Sequence, residues 1–245
     1  MDPLDLAIAA AHAAGTLLRT HFGSPLNVNS LEAHDIKLEL DVQSQSLITG
    51  MVLERFPDHA IYGEEGIAGN QASPYHWIID PIDGTVNFYY GIPHFCISIA
   101  LRHDNDIVLG VIYDPIREEL WSVRKGHPAL LNGRPIAVST RPTIPEAILS
   151  VGFSKTKTTI DSGLPLFQDL VYRARKCRLM GSAALDMAYV AAGRLDGYIE
   201  QSVSLWDIAA GVLLVEAAGG SVKIETRADN PDKFSVVATN GLLPL

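Results

Sequence analysis

The chain has 245 residues, of which 47% are hydrophobic, with a formal net charge of −9 and a mean hydropathy of +0.15. That length allows one large domain or two closely packed halves, and the composition excludes a disordered chain. The negative balance argues against a duplex nucleic-acid binder, and two isolated cysteines, Cys96 and Cys177, exclude zinc-ribbon and thioredoxin-type motifs.

In chain order, Met1–Asp5 is acidic and has no basic stretch, which predicts no secretory signal and a cytoplasmic protein with reduced thiols. Residues 4–22 read as a helix stopped at Gly23, and the apolar part of this stretch is too short to span a bilayer. A second helix is predicted from near Asp41 to just before Pro57. Residues 60–62 form a short strand running into Gly63-Glu64-Glu65-Gly66. Trp77-Ile78-Ile79 reads as a buried strand ending in Asp80, where Pro81 should interrupt the ladder because it has no N–H to donate. Asp83-Gly84-Thr85 then opens a short helix. Strands follow at 94–102, 107–113 and 120–124, and Asn132-Gly133 signals a tight hairpin. Residues 147–152 read as a strand, 155–162 as a polar loop, and 164–174 as a helix. Helices at 182–192 and 205–218 flank a strand at 195–200, and late strands are expected at 221–224 and 235–238. Helices, then strands, then an alternation of the two favour an α+β or layered sandwich over a doubly wound parallel sheet.

The chemistry-bearing residues sit where elements end. Two carboxylates, Asp80 and Asp83, leave a strand end at a sharp bend, with backbone N–H groups just beyond. Hard oxygen donors suit Mg²⁺, and a helix start suits an anion such as phosphate. Taken alone, D-x-x-D-G also fits a plain turn. Glu64 and Glu65 could equally be an exposed acidic turn, Asp207 a dipole-complementing residue, and Asp41 an N-cap.

Jointly, G-E-E at Gly63–Glu65, D-P-I-D-G-T at Asp80–Thr85 and W-D-I-A-A-G at Trp206–Gly211 resemble the three defining motifs of the inositol monophosphatase family, over nearly the whole chain. The resemblance implies a layered α-β-α-β-α sandwich, a single catalytic domain over 1–245 with a metal-site half near 1–140 and a substrate-side half near 141–245, and a homodimer. It implies two or three Mg²⁺ ions, replaceable by Mn²⁺, and inhibition by Li⁺. Glu64, Asp80, Asp83, Asp207 and the backbone carbonyl of Ile82 resemble the metal ligands, with Asp80 the bridging carboxylate. Thr85 and Asp41 resemble the pair that orients the attacking water, which with Glu64 makes the catalytic set. Gly84 and Thr85 would offer N–H groups to the phosphate. Asp83, Ser182 and Ala183 would line the substrate pocket, and Glu200 would read substrate hydroxyls.

Two positions depart from the family pattern. Leu38 stands where a threonine is common, three residues before Asp41, and Ser204 stands where animal inositol enzymes carry a histidine. The implied activity is Mg²⁺-dependent hydrolysis of a small phosphate monoester, with inositol 1-phosphate or a similar polyol phosphate the first expectation. Fructose 1,6-bisphosphate is the rival if the basic run Arg173, Arg175, Lys176, Arg178 holds a second phosphate, and histidinol phosphate if Glu200 meets an amine. A regulatory protein that binds transcription machinery is the non-enzyme alternative. No nucleic-acid or membrane partner is expected.

Overall fold

The computed structural model describes residues 2–32, 35–153 and 156–245. Five layers alternate between helices and sheets. The outer layer holds α1 (Pro3–His21) and α2 (Glu39–Arg55), joined through a hairpin of β1 (Val28–Glu32) and β2 (Asp35–Leu38). Asp2 caps α1, accepting the Leu4 N–H at 2.8 Å, with Pro3 pre-set for the first turn. Gly23, at φ 76°, follows the C-cap.

Beneath these helices lies an eight-stranded sheet. It contains β3 (Ala60–Gly63), β4 (Gly66–Gly69), β5 (Tyr75–Asp83), β6 (Cys96–His103), β7 (Asp106–Asp114), β8 (Glu119–Arg124), β9 (Leu130–Leu131) and β10 (Arg134–Pro135), in the order β10-β9-β8-β7-β6-β5-β3-β4. Within this sheet, among the described residues, only β3 and β5 pair in parallel. Side chains alternate across this sheet as a period of two demands. Trp77 and Ile79 of β5 join the core under α1 and α2, while Ile78 faces the opposite layer. The short helix α3 (Thr85–Tyr89) follows β5 directly.

The central layer is α5 (Ala183–Ala191) and α6 (Leu205–Ala217), apolar all round because both faces are covered. They separate the large sheet from a five-stranded sheet of β11 (Ile148–Val151), β12 (Lys176–Arg178), β13 (Gly197–Val203), β14 (Ser221–Arg227) and β15 (Asn230–Thr239), ordered β12-β11-β13-β15-β14. The last layer is α4 (Lys157–Arg173), whose Leu170 packs with Leu149 and Ile199. This is the expected α-β-α-β-α sandwich of mixed, largely antiparallel sheets.

Three local readings are corrected. The stretch 155–162 was expected to be a loop, but residues 157–162 are helical; residue 155 lies outside the described residues. Thr156 supplies the cap, its hydroxyl accepting the Thr159 N–H at 3.3 Å, and tertiary packing of Gly163 and Leu170 outweighs the polar composition. The β1–β2 hairpin and β12 were not anticipated: Ile36 and Leu38 of β2 alternate with polar neighbours over only four residues, and β12 has only three. Finally, β5 does not stop at Asp80. Pairing with β6 is interrupted by a register shift between Asp80 and Asp83 and resumes at Asp83↔Cys96. Pro81 therefore produces a bulge, a device that re-aims side chains at a strand end.

Candidate active site

The bulge in β5 aims two carboxylates into one cavity. Asp80 accepts the Ile82 N–H at 3.0 Å through Oδ1. Asp83 Oδ2 takes donors from the Ser182 hydroxyl at 2.6 Å and the Ala184 N–H at 2.7 Å, with the Cys96 thiol at 3.7 Å. Asp83 is thus held at the first turn of α5, where the helix dipole favours a negative charge. Asp207 arrives from the opposite side, at the third position of α6. It reaches back to accept the Ser204 N–H at 2.7 Å, half of a capping box. One oxygen from each of Asp80, Asp83 and Asp207 lies within 4.8 Å of the other two. Glu64, in the turn between β3 and β4, lines the same cavity.

Asp41 is the third residue of α2 and repeats the Asp207 device, accepting the Leu38 N–H at 2.7 Å. Leu38 therefore supports Asp41 through its backbone, and its side chain is simply core. The other oxygen of Asp41 lies 3.3 Å from the Thr85 hydroxyl, which is also 2.9 Å from the Ile82 carbonyl. With one proton to donate, that hydroxyl can serve either acceptor. Gly84, between Asp83 and Thr85, sits at φ 95°, and a Cβ there would lie 3.0 Å from the His94 carbonyl oxygen and 3.2 Å from that of Gly181. The motif needs glycine on both counts.

Burial and like charge govern this cluster. Burial first, then Glu64, Asp83, Asp207 and Asp41, push the Asp80 carboxyl up. Burial pushes Asp41 to about 7. Uncompensated carboxylates at this density are costly. A divalent cation removes both penalties, and the donors are all oxygen, the set that Mg²⁺ and Mn²⁺ prefer. The residues fit such an ion.

This has a consequence for stability. Raised carboxyl pKa values mean that the folded state holds protons the unfolded chain has released, so stability falls as pH rises from the ordinary carboxyl range through the folded values of about 7 for Asp41 and about 8 for Glu200. Buried His94, lowered to about 4, acts oppositely between pH 4 and its ordinary 6.5. Between about pH 6.5 and 8 only the carboxyls act. Metal-free protein should therefore melt several degrees lower at pH 8 than at pH 6.5, and Mg²⁺ should restore more at the higher pH. Differential scanning fluorimetry at both pH values checks this, and an Mg²⁺ shift equal at both would count against it.

The cavity has a volume of about 870 Å³. Besides these acids it is lined by Gly181, Ser182, Ala183, Glu200, Lys233 and the buried Asp186. Glu200 is pulled back by the Tyr198 hydroxyl at 2.6 Å and pushed up to about 8, chiefly by burial. Of the basic run, Arg173, Arg175, Lys176 and Arg178 do not line the cavity; Arg173 pairs with Asp169 on the surface of α4. The cations lining it, among the described residues, are Lys37, Arg227 and Lys233. Lys233 donates to the Ser204 hydroxyl at 2.6 Å.

Sequence reasoning missed Lys233 and Asp186. Asp186 is buried, accepts from Ser150 at 2.7 Å, and leaves Oδ1 without a partner among the described residues. An acid inside the apolar run Ala183–Ala191 was the one available signal for it; Lys233 had none.

A carboxylate cavity in a layered α-β-α-β-α sandwich, with acids delivered by the ends of β5, α2 and α6, defines a class of proteins suited to holding divalent metal ions. The inositol monophosphatase family model matches residues 2–241, and the chain belongs to that family. The family is Mg²⁺-dependent. A protein named Nus factor SuhB, from Pseudomonas aeruginosa, is 40% identical, with 98% of this chain and 92% of that one covered. A fructose-1,6-bisphosphatase/inositol-1-monophosphatase from Thermotoga maritima is 36% identical over 99% of this chain and 93% of its own. The solved structure of the extragenic suppressor protein suhB from Bartonella henselae superposes with a TM-score of 0.89 at 33% identity, covering 97% and 93% of the two chains.

Proposed function

We propose that this chain hydrolyses a small phosphate monoester with Mg²⁺, inositol 1-phosphate or a similar polyol phosphate first among them. One observation carries the reading: the carboxylates of Asp80 and Asp83 from β5 and of Asp207 from α6 converge within 4.8 Å beside the Thr85–Asp41 pair. Glu64, Asp80, Asp83, Asp207 and the Ile82 carbonyl would hold the metals. Bound there, Mg²⁺ supplies charge neutralisation for the phosphate, a lowered pKa for water and stabilisation of the leaving alkoxide.

The remaining work falls to the chain's own groups. Thr85 Oγ1 accepts the proton of the attacking water while passing its own to Asp41 Oδ1. The N–H groups of Gly84 and Thr85 orient the phosphate, because glycine lets the backbone approach closely. Ala183 shapes the wall. Ser182 lines it too, while its hydroxyl fixes Asp83. Glu200 accepts from the leaving group's hydroxyls. The chain would act as one catalytic domain over 1–245, within a cytoplasmic homodimer.

Glu200→Gln tests the substrate assignment. The amide still accepts from Tyr198 but turns an acceptor into a donor. At pH 8.5, where Glu200 is ionised, losing one such bond costs about 1–3 kcal/mol, or roughly tenfold or more in kcat/KM for a polyol phosphate. An aryl phosphate should be nearly unaffected. Equal loss on both would mean that Glu200 supports the metals and does not read substrate.

Two other readings have an observation each. Lys233 has no carboxylate partner within ion-pair distance among the described residues, which favours a second anionic group on the substrate. Fructose 1,6-bisphosphate and histidinol phosphate, assayed beside inositol 1-phosphate, decide among them by their kcat/KM. The likeness to a protein named Nus factor SuhB favours a regulatory role in transcription. Retention of RNA polymerase on immobilised protein, with no phosphate release from any of these esters, would select that role.

A further inference from the structure

The buried face of α2 carries a row of polar side chains where a helix normally presents apolar ones. Asp41, Ser44 and Gln45 are 2%, 0% and 7% exposed, and the same face continues as Ile48 and Val52. Each polar member holds a different piece of the active-site frame. Asp41 meets Thr85, Ser44 donates to the Pro81 carbonyl at 3.3 Å, and Gln45 reaches the turn that carries Glu64. The Gln45 carboxamide accepts the Glu65 N–H at 2.9 Å and donates to the Gly66 carbonyl at 3.0 Å. One side chain thus closes the turn as acceptor and donor together, which neither a carboxylate nor an apolar residue can do. Gly63 makes room for it, since a Cβ there would fall 2.1 Å from Gln45 Oε1. On the other side, the Glu64 N–H donates to the Ile79 carbonyl at 3.1 Å, one residue before Asp80.

From this clamp we infer that Gln45 is a positioning residue that fixes Glu64 against Asp80 and so sets metal affinity. The inference rests on the proposed metal site. Partners that orient metal ligands typically account for about 10–100-fold in affinity. Gln45→Met keeps the length and loses both hydrogen bonds. It should weaken Mn²⁺ binding about tenfold or more, measured by electron paramagnetic resonance of free Mn²⁺, a readout independent of turnover. Gln45→Glu keeps the bond to Glu65, loses the one to Gly66, and should fall between; it carries the test if Gln45→Met does not fold. Ile48→Val, one turn on along the same face, perturbs packing without touching the turn and should bind Mn²⁺ like the parent.

Parent-like Mn²⁺ affinity in Gln45→Met overturns the inference, and so does equal weakening in Ile48→Val. If the parent chain and Asp80→Asn bind Mn²⁺ alike, the metal site itself is misassigned and the inference falls with it. If Asp80→Asn weakens binding and Gln45→Met does not, the metal site stands and the role of Gln45 alone is wrong.

Discussion

Asp80→Asn should lower turnover by roughly 10³-fold or more, about 4 kcal/mol of transition-state stabilisation. Asp80 is 2% exposed and stands among Glu64, Asp83, Asp207 and Asp41, so it is the carboxylate through which a two-metal site would share its charge. The amide oxygen can still accept the Ile82 N–H, so the bulge is preserved. The same change removes one of the mutually repelling acids. Metal-free Asp80→Asn should therefore melt a few degrees above the parent, about 2–4 °C for each kcal/mol relieved, while losing most of the stabilisation that Mg²⁺ confers. Steady-state kinetics and scanning fluorimetry on the same preparations check both halves. A near-parental rate with metal bound would remove the two-metal mechanism.

Thr85→Ala should lower kcat by about 10²-fold, the lower end of what a positioned proton-transfer group supplies. The metal ligands are untouched, so half-saturating Mg²⁺ should change little. Thr85→Ser keeps the hydroxyl between Asp41 and the Ile82 carbonyl and should recover much of the rate. The pH profile separates catalysis from packing. The acid limb of kcat, set by Asp41 in the parent, should flatten in Thr85→Ala because the relay to that carboxyl is gone. A loss of rate with an unchanged acid limb would place the proton acceptor elsewhere.

Much of the frame was legible in the sequence because the signals were local. The helix stop at Gly23, the Asn132-Gly133 turn and the apolar run at Trp77 each depend on a few neighbouring residues. Asp80, Asp83, Glu64 and Asp207 were candidates for a different reason: each alone also fits a turn or a dipole-complementing residue, and only the three motifs together, by their resemblance to one family, single them out. What escaped was long-range. Asp83 is held by Ser182 and Ala184, about a hundred positions away, and nothing in the sequence of either segment names the other. Lys233 enters the cavity from β15, which pairs with β13, while the basic run near Arg175 does not line it. Gln45 was readable in principle, since Asp41, Ser44, Gln45, Ile48 and Val52 recur at helical spacing and mark a buried face. Its polarity disguised it as a solvent-facing residue. The start of α4 was misread because a threonine cap and distant packing outweighed a polar composition.

The proposed activity is tested most directly by the initial rate of inorganic phosphate release from inositol 1-phosphate by metal-stripped protein. The expected result is no release in EDTA, saturable recovery on adding Mg²⁺ or Mn²⁺, and inhibition of the recovered rate by Li⁺. Release at the same rate in EDTA, or no release from any phosphate monoester at saturating Mg²⁺, would contradict it.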